Sequence, residues 1–346
     1  MSVFEQMNAY GHEQITFVRD EATGLKAIIA IHDTTLGPAL GGSRFWNYAS
    51  EEDALFDVLR LSRGMTLKSA AAGLALGGGK AVILGDPAKL KSREFFHAYG
   101  KFINSLNGKY YTAEDVNIGP DDVSMIGEVS KFVVGTPEVS GNPSPFTARG
   151  VYMAMKAGAK IKFGSDSLVG KTVAIQGIGS VGYILCDYLA KEGAILKVSA
   201  RTAATVDKAV AEFGATPVAV DEILTTECDI LAPCAMGAVL NTGNAGDLKC
   251  AIIAGAANNI LLDAATADAL EKRDILYLPD YIVNAGGVIN CGMEVTEGYD
   301  IDKVNRRVDD IYNTTLQIVA LAQERGINPY QAADEYAWGI VEAAKR

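Results

Sequence analysis

The sequence predicts two α/β domains, the second of them built on a doubly wound parallel sheet. The chain has 346 residues, of which 49% are hydrophobic, and this is enough for two buried cores of ordinary size. The densest cluster of proline and glycine lies at residues 141–145, and after it short apolar runs alternate with helical patterns, as in parallel βαβ units. We therefore expect domains at residues 1–140 and 141–319, with the helices of about residues 320–346 returning to the first domain. The active site is expected in the cleft between the two.

The first domain begins with two predicted strands. Residues 15–18 and 25–31 are rich in β-branched side chains and are bounded by charged or glycine turns. Ser50 is followed by three acidic residues and then by apolar residues at helical spacing, which indicates a helix capped by Ser50. Residues 80–84 form a short apolar run that ends at Gly85, and we expect a buried strand there.

The second domain opens with a helical pattern over residues 147–160. Five short apolar runs follow, separated by helical patterns, and we expect each to be a strand of one parallel sheet. These runs are residues 173–175, 196–198, 229–232, 251–254 and 275–277. Helical patterns over residues 304–325 and 329–345 close the chain.

The composition argues against several classes of function. The formal net charge of −11 disfavours nucleic acid and anionic membranes as partners. No stretch approaches the roughly 20 apolar residues that a bilayer requires, and the N-terminus does not resemble a signal peptide, so we expect a cytoplasmic protein. The five cysteines and three histidines are scattered; neither a metal site nor a Ser-His-Asp triad is expected.

A glycine pattern directly after the strand at residues 173–175 indicates a dinucleotide site. Gly177, Gly179 and Gly182 form a G-x-G-x-x-G that opens a helical pattern, the fingerprint of a Rossmann domain. The first glycine permits a tight turn, the second a close approach of the backbone to a pyrophosphate, and the third close packing of helix on strand. The alternative is a glycine-rich turn without a ligand. The expected contacts are Gly177, Ile178, Gly179, Ser180, Val181 and Gly182.

The end of the next predicted strand bears on the choice of cofactor. NAD enzymes usually carry a carboxylate there that accepts hydrogen bonds from the ribose 2′-hydroxyl. This chain has Ala200 followed by Arg201, and an arginine can bind a 2′-phosphate through charge-assisted hydrogen bonds. We therefore favour NADP(H), with NAD(H) possible. In the alternative interpretation, Arg201 is a solvated loop residue.

Two lysines and an acidic pair are candidates for chemistry in the first domain. Lys68 and Lys80 lie twelve residues apart, and Lys80 follows three glycines in a spacing that differs from that of a phosphate-binding P-loop. Glu114 and Asp115 come at the end of a predicted strand. From the residues alone, a lysine late in an apolar helix, such as Lys68, is usually a surface lysine with a buried stem, and Asp115 can equally cap a helix.

Several ordered motifs together resemble the Glu/Leu/Phe/Val dehydrogenase family. The resemblance extends from about residue 37 to residue 299. The motifs are residues 37–44, the two lysine segments at 64–68 and 77–80, and residues 112–116, 141–145 and 279–287. The resemblance implies an NAD(P)-dependent L-amino-acid dehydrogenase that interconverts an amino acid with its 2-keto acid and ammonium, and that forms a homo-oligomer.

The resemblance also implies a role for individual residues. Lys68, helped by Asn258, would hold the substrate carboxylate; Lys80 would be the catalytic lysine, and Asp115 its acidic partner. Glu114 is left with a structural role. Further cofactor contacts are expected from Ala200, Arg201, Ala232, Cys234, Ala256, Asn259 and Asn284.

The pocket implied for the substrate side chain is apolar. Its residues are Leu40, Gly41, Met65, Ala113, Val288 and Cys291. A buried substrate carboxylate would cost several kcal/mol against such a wall, so an apolar amino acid is expected. Ala113 and Val288 resemble the leucine-specific members, which favours a branched-chain substrate. Cys291 departs from the valine more usual there, and phenylalanine or tryptophan dehydrogenase stays open, because a methylene or a ring is worth only about 1–3 kcal/mol.

Two other classes of function are weighed against this one. The first is a non-catalytic nucleotide-binding protein on the same fold, which the presence of Lys68, Lys80 and Asp115 disfavours. The second is a reductase of hydroxy acids or imines. The motifs contain no histidine, and this disfavours the hydroxy-acid version.

Overall fold

The computed structural model describes residues 2–345 and divides the chain into two compact units. Unit 1 runs to Pro143 and also contains Val288–Ile301 and the residues from Ala337 onwards. Unit 2 comprises Ser144–Gly287 and Asp302–Tyr336. Within residues 2–345, every helix is too short or too polar to span a bilayer.

This division differs from the predicted one at 140/141 and 319/320. Residues 288–301 belong to unit 1 because Gly292 packs closely there: a Cβ atom on it would lie 2.9 Å from Leu74 Cδ1. Residues 320–336 stay with unit 2, where Asn328 Nδ2 donates to Asp268 Oδ1 over 2.8 Å. Only the residues from Ala337 onwards return to unit 1, and the return therefore begins later than the sequence predicts.

Unit 1 contains a mixed six-stranded sheet. Five of its strands have the order β1-β2-β5-β3-β6, and the sixth, β4, pairs with a later part of β5 than β3 does. β1 and β2 are antiparallel to each other, β2 is antiparallel to β5, and the remaining pairs are parallel. The strands are β1 (Gln14–Asp20), β2 (Leu25–Asp33), β3 (Ala39–Leu40), β4 (Ser43–Trp46), β5 (Gly77–Leu84) and β6 (Tyr110–Tyr111). The helices are α1 (Val3–Tyr10), α2 (Glu51–Ala71), α3 (Pro87–Leu90), α4 (Arg93–Ser105) and α5 (Pro120–Gly127).

The two faces of this sheet pack on different helices because side chains alternate along each strand. Ala81 and Ile83 of β5 join a core cluster with residues of α4 and α5. Val82 lies on the other face, in a cluster with α2 residues such as Leu55 and Leu59. The helix predicted after Ser50 is α2, and the Ser50 side chain accepts from the amide of Asp53. The strand predicted from residue 80 begins three residues earlier, at Gly77.

Unit 2 contains a six-stranded sheet that is parallel throughout, with the order β12-β11-β10-β7-β8-β9. The order reverses at β7, so the predicted doubly wound topology is confirmed. The strands are β7 (Thr172–Gln176), β8 (Ile195–Ser199), β9 (Thr216–Pro217), β10 (Ile230–Pro233), β11 (Ile252–Ile253) and β12 (Leu276–Tyr277). The helices of unit 2 up to its break at Gly287 are α6 (Ser144–Phe163), α7 (Ser180–Glu192), α8 (Ala203–Phe213), α9 (Ala264–Glu271) and α10 (Asp280–Val283).

Four further helices follow α10 along the chain. They are α11 (Gly286–Thr296), α12 (Ile301–Asp309), α13 (Ile311–Arg325) and α14 (Pro329–Ala344). The core of unit 2 is formed by the apolar strands and the helices that cover them, with β7, β10 and β11 almost entirely buried. This burial on both faces explains why these strands read as continuous apolar runs rather than as alternating ones.

Candidate functional site

β5 carries Lys80 into the interior of unit 1. Lys80 lies on the same face of β5 as Gly78 and Val82, the face that packs on α2. A Cβ atom on Gly78 would lie 2.1 Å from the amide nitrogen of Thr66, so only glycine lets the strand lie this close to the helix. The residue Lys80 is 6% exposed. An ammonium group this deeply buried needs a carboxylate partner.

Asp115 provides that partner. Its Oδ2 atom lies 3.2 Å from Lys80 Nζ and 3.1 Å from Arg44 Nε. The loop that carries it is held by the backbone, since the amide of Ser43 donates to the carbonyl of Ala113 and the amide of Ile118 to that of Asp115. The catalytic pair that the resemblance implies is thus an ion pair within unit 1.

Burial and neighbouring charge act in opposite directions on Asp115. Burial would raise the pKa of this carboxyl group, but the positive charges of Lys80 and Arg44 and their hydrogen bonds outweigh it, and the pKa is lowered. Asp115 is therefore a carboxylate at neutral pH. Burial raises the pKa of the neighbouring Glu114, and the charge of Asp122 adds to this.

Arg44 links this pair to a second carboxylate. Its Nη1 atom lies 2.9 Å from Asp57 Oδ2, and the Tyr48 hydroxyl donates to the same oxygen over 2.7 Å. The sequence reasoning gave Arg44 no role of its own. The parallel register of β4 on β5 pairs Arg44 with Val82 and places both on the face that carries Lys80. Without this register, the contact between Arg44 and Asp115 could not be predicted from the sequence.

The six residues predicted to surround the substrate side chain all lie in unit 1. A Cβ atom on Gly41 would lie 3.3 Å from Met65 Cγ, and one on Gly292 would lie 3.6 Å from Leu40 Cδ2. The second contact brings α11, with Val288 and Cys291, to the end of β3. The structure thus places the predicted pocket residues around one end of β3, with Ala113 in the loop after β6.

The side chain of Cys291 carries no charge at neutral pH. Burial, together with the nearby charges of Glu294 and Glu114, raises the pKa of its thiol to about 12. The thiol is therefore protonated at neutral pH and presents a small, weakly polar group. This is compatible with an apolar side-chain pocket, although cysteine departs from the valine expected there.

Lys68 and Asn258 lie in different units. Lys68 is half-buried on α2, three residues after Met65 and therefore on a neighbouring part of the same helix face. Asn258 lies in unit 2, where its Oδ1 atom accepts a hydrogen bond of 2.8 Å from Asn284 Nδ2.

The glycine pattern of unit 2 fits a dinucleotide. Gly177 has a φ of 90°, and a Cβ atom there would lie 2.5 Å from Ala235 Cβ. A Cβ atom on Gly182 would lie 2.1 Å from the carbonyl oxygen of Gly177, whereas one on Gly179 would meet nothing within 4 Å. Gly177 and Gly182 are thus required by the turn and the packing, and Gly179 leaves an open backbone edge at the start of α7. Ile178, Ser180 and Val181 lie in the same turn.

The other predicted cofactor residues of unit 2 lie at the carboxyl ends of the central strands. The amide of Cys234 donates to the Gln176 carbonyl over 2.7 Å, the amide of Ala256 to Cys234 Sγ over 3.5 Å, and Asn284 Nδ2 to the Ala256 carbonyl over 3.1 Å. Ala232 is buried in β10, and Asn259 is an exposed residue with a φ of 52°. The strand order reverses at this edge, where open α/β sheets bind their ligands.

A groove of about 580 Å³ opens between the start of α7 and the first turns of α8. Its residues are Ile178, Gly179, Ser180, Tyr183, Ala204, Thr205 and Lys208. Lys208 Nζ lies 4.5 Å from the centre of the Tyr183 ring and 3.8 Å from Glu212 Oε1. Sequence reasoning missed this cation. Its place on α8, the helix that directly follows Arg201, was the available signal.

Ala200 and Arg201 lie between β8 and α8, and Arg201 is exposed. Across residues 2–345, no three His, Cys, Asp or Glu side chains are grouped as metal ligands.

Two family models match the chain. The model described as "Glu/Leu/Phe/Val dehydrogenase, dimerisation domain" matches residues 12–131. The model described as "Glutamate/Leucine/Phenylalanine/Valine dehydrogenase" matches residues 194–346.

Curated relatives are similar over nearly their whole length. Leucine dehydrogenase of Bacillus subtilis is 50% identical over 100% of this chain and 96% of its own. L-tryptophan dehydrogenase of Nostoc punctiforme is 45% identical over 100% and 98%, and phenylalanine dehydrogenase of Thermoactinomyces intermedius is 43% identical over 96% and 92%.

Solved structures share the fold. The crystal structure of L-tryptophan dehydrogenase from Nostoc punctiforme superposes with a TM-score of 0.89 at 44% identity, covering 100% of both chains. The hetero-hexameric glutamate dehydrogenase from Thermus thermophilus superposes with a TM-score of 0.79 at 21% identity, over 96% of this chain and 89% of the other. The second likeness is one of fold alone.

Proposed function

Because the chain belongs to the Glu/Leu/Phe/Val dehydrogenase family, we propose that it catalyses the reversible oxidative deamination of an apolar L-amino acid to its 2-keto acid and ammonium. The observation that carries this proposal is the buried ion pair of Lys80 and Asp115, 3.2 Å apart. A non-catalytic nucleotide-binding protein would have no use for such a pair, because burying two charges costs several kcal/mol.

A nicotinamide cofactor held at the glycine turn of residues 177–182 would supply the hydride acceptor for deamination and the hydride donor for amination. Lys80 Nζ donates a hydrogen bond to the oxygen that water adds to the imine carbon, and so stabilises the charge that develops there. The Lys80–Asp115 pair takes up the proton that the attacking water releases. It returns that proton to the amine nitrogen. When the C–N bond breaks and ammonia leaves, the hydroxyl group on the same carbon gives its proton to the pair and becomes the keto oxygen.

Lys68 binds the substrate carboxylate in this proposal. It is half-buried on α2, one helical turn from Met65 of the side-chain pocket. An ammonium there pairs with the carboxylate that every α-amino acid carries, and so it fixes the orientation of Cα.

The preferred substrate is proposed to be leucine or another branched-chain amino acid. Support comes from the apolar character of Leu40, Met65 and Val288, and from the 50% identity to leucine dehydrogenases. Phenylalanine or tryptophan is the second candidate, supported by relatives at 43% and 45% identity. Discrimination between these side chains depends on only about 1–3 kcal/mol.

The preferred cofactor is proposed to be NADP(H). No carboxylate ends β8, Arg201 follows it, and the cation of Lys208 lines the groove beside the start of α7. Gly179 and Ser180, at the open end of α7, would hold the pyrophosphate. A 2′-phosphate carries a double negative charge that these cations can pair with.

The chain is further proposed to form a homo-oligomer, since residues 12–131 match a model described as a dimerisation domain. Light scattering during size-exclusion chromatography tests this directly; a mass of 36.6 kDa at micromolar concentration would contradict it.

An initial-rate panel tests the proposed reaction. Reduction of 2-ketoisocaproate, 2-ketoisovalerate, phenylpyruvate, indolepyruvate and 2-ketoglutarate is followed at 340 nm (the NAD(P)H absorbance) with ammonium and either reduced cofactor. We expect 2-ketoisocaproate to give the highest kcat/KM and 2-ketoglutarate to be inert. Activity confined to the aromatic keto acids would overturn the branched-chain assignment, and the absence of ammonium-dependent oxidation with every acid would overturn the proposed function.

A further inference from the structure

Four charges of alternating sign form a continuous chain through unit 1. Lys80 Nζ contacts Asp115 at 3.2 Å, Asp115 contacts Arg44 Nε at 3.1 Å, and Arg44 Nη1 contacts Asp57 at 2.9 Å. The side chains of these residues are between 7% and 23% exposed, so water screens their interactions only partly. The chain leads from the proposed catalytic lysine to α2.

The contacts of Asp115 are unequally distributed over its two oxygens. Both cations contact Oδ2, and none of the hydrogen bonds and ion pairs of the residues described (2–345) falls on Oδ1. The side chain is 21% exposed. One oxygen is therefore held by two cations, while the other, within the described part of the chain, is left without such a contact in a side chain that is partly exposed.

Arginine suits this place better than lysine would. Its guanidinium group offers Nε to Asp115 and Nη1 to Asp57 at the same time, and its planar fork fixes the angle between the two. Asp57 is itself held by the Tyr48 hydroxyl over 2.7 Å. Burial raises the pKa of Tyr48, and its hydrogen bond to Asp57 adds to this, so Tyr48 remains a neutral donor.

We propose that Arg44 is a positioning residue for Asp115: it fixes Oδ2 against Lys80 and so leaves Oδ1 free to exchange a proton with the substrate nitrogen. This inference rests on the proposed function for its catalytic consequence. Asp57 and Tyr48 hold Arg44 in place. The titratable groups around Asp115 are Lys80 on β5, Arg44 on β4, Asp57 on α2, Tyr110 on β6 and Tyr48 after β4.

The charge of Arg44 also offsets the burial of Asp115. Burial alone would raise the pKa of that carboxyl group, and the two cations lower it. Removal of Arg44 should therefore raise the pKa of Asp115, and the proton-bound form would persist to higher pH. A proton carrier that is already protonated cannot accept the proton from the substrate ammonium.

The first experiment compares pH profiles of kcat for leucine deamination in the wild type, Arg44→Gln, Arg44→Lys and Arg60→Gln. Arg44→Gln should lower kcat about 100-fold, as expected for a misplaced catalytic group, should change KM far less, and should move the acid limb of the profile to higher pH. Arg44→Lys retains a charge but loses the fork, so its acid limb should stay near that of the wild type while kcat falls. Arg60 pairs with the other oxygen of Asp57, at 3.3 Å, and its variant is the matched control, for which we expect an unchanged profile.

An acid limb that stays in place in Arg44→Gln would overturn the inference, as would an equal loss of activity at every pH. A shifted limb in Arg60→Gln would also overturn it, because the effect would then not depend on contact with Asp115.

A second experiment needs no enzymatic activity. The free energy of unfolding is measured for the wild type, Arg44→Gln, Asp115→Asn and the double variant. A favourable coupling between the two residues at pH 7 that disappears as Asp115 is protonated at low pH supports the inference; additive effects at pH 7 overturn it. If the wild type were inert in the keto-acid panel, the proposed function would fail while this coupling could still be measured.

Discussion

Gly78 and Thr66 lie so close together that a Cβ atom on Gly78 would stand 2.1 Å from both the amide nitrogen and Oγ1 of Thr66. β5 can rest directly on α2 only because Gly78 has no side chain. Lys80 follows two residues later on the same face of the strand. The contact between strand and helix thus sets the position of the buried ammonium group.

Gly78→Ala should destabilise the protein. The clash is with backbone and cannot be relieved by a side-chain rotation, so a loss of about 1–3 kcal/mol or more is expected. Gly64→Ala is the matched control on α2, since its Cβ atom would meet nothing within 4 Å; alanine in a helix interior should stabilise by about 0.5–1 kcal/mol. Urea unfolding of both variants measures the difference, and similar free energies of unfolding would contradict the argument.

Lys80→Ala should reduce kcat for leucine deamination by about 10²–10⁴-fold, because it removes the group that hydrogen-bonds the developing oxygen and half of the proton-carrying pair. Binding of NADPH, followed by fluorescence, should change little, since Lys80 lies in unit 1 and the glycine turn in unit 2. Lys89→Ala is the control, because the Lys89 side chain is 80% exposed. Turnover at the wild-type level in Lys80→Ala would remove the proposed mechanism.

Lys208→Gln and Arg201→Ala should each weaken NADPH more than NADH. Loss of one charge-assisted hydrogen bond to a phosphate corresponds to about a tenfold increase in KM, and NADH lacks that phosphate. Lys191→Gln serves as the control, because Lys191 pairs with Asp187 near the far end of α7. Equal effects on the two cofactors would show that neither Arg201 nor Lys208 contacts the 2′-phosphate.

His12→Gln should make the free energy of unfolding depend less steeply on pH below about pH 6.5. Burial, together with the neighbouring charge of His32, lowers the pKa of His12 from 6.5 to about 3, so the folded protein keeps it neutral while the unfolded chain binds a proton below pH 6.5. Its contribution to stability is therefore full above about pH 6.5 and is lost as the pH falls towards 3. The variant should lower the slope of unfolding free energy against pH by about 1.4 kcal/mol per unit in that range. An unchanged slope between pH 6 and pH 4 in urea titrations would refute this.

The central strands of the unit 2 sheet could be predicted because they are buried on both faces and read as apolar runs, whereas the exposed two-residue edge strand β9 was not predicted. Runs at residues 173–175 and 196–198 coincide with β7 and β8, and the glycines after β7 marked the turn. β1 and β2 were found through their β-branched residues and the turns that bound them, and β5 through its apolar run. By contrast, β3 and β6 contain two residues each, which is too short for any periodic pattern.

Some parts of the candidate site could not be predicted from the sequence. They depend on which strands pair with each other and on which later segments of the chain pack back into unit 1. Arg44 reaches Asp115 only because β4 pairs in parallel with β5, and sequence spacing does not encode that pairing. Lys208 lines the groove beside the glycine turn only because α8 packs next to α7. The return of residues 288–301 to unit 1 depends on close contacts of Gly292 with Leu74 and Leu76, which are far from it in sequence.

Asp57, Met65 and Lys68 all belong to α2, a single helix in which residues 57 and 68 are separated by about 16 Å along the axis. A rigid rod of this kind moves its attached groups together. A substitution that tilts α2 by altering its contact with β5 would therefore disturb three things at once: the proposed carboxylate contact of Lys68, the predicted pocket at Met65 and the contact of Asp57 with Arg44. Attempts to broaden the substrate range through the buried face of α2 would be expected to lose turnover as well, whereas changes at Val288 and Cys291 on α11 would alter the proposed side-chain pocket without moving α2.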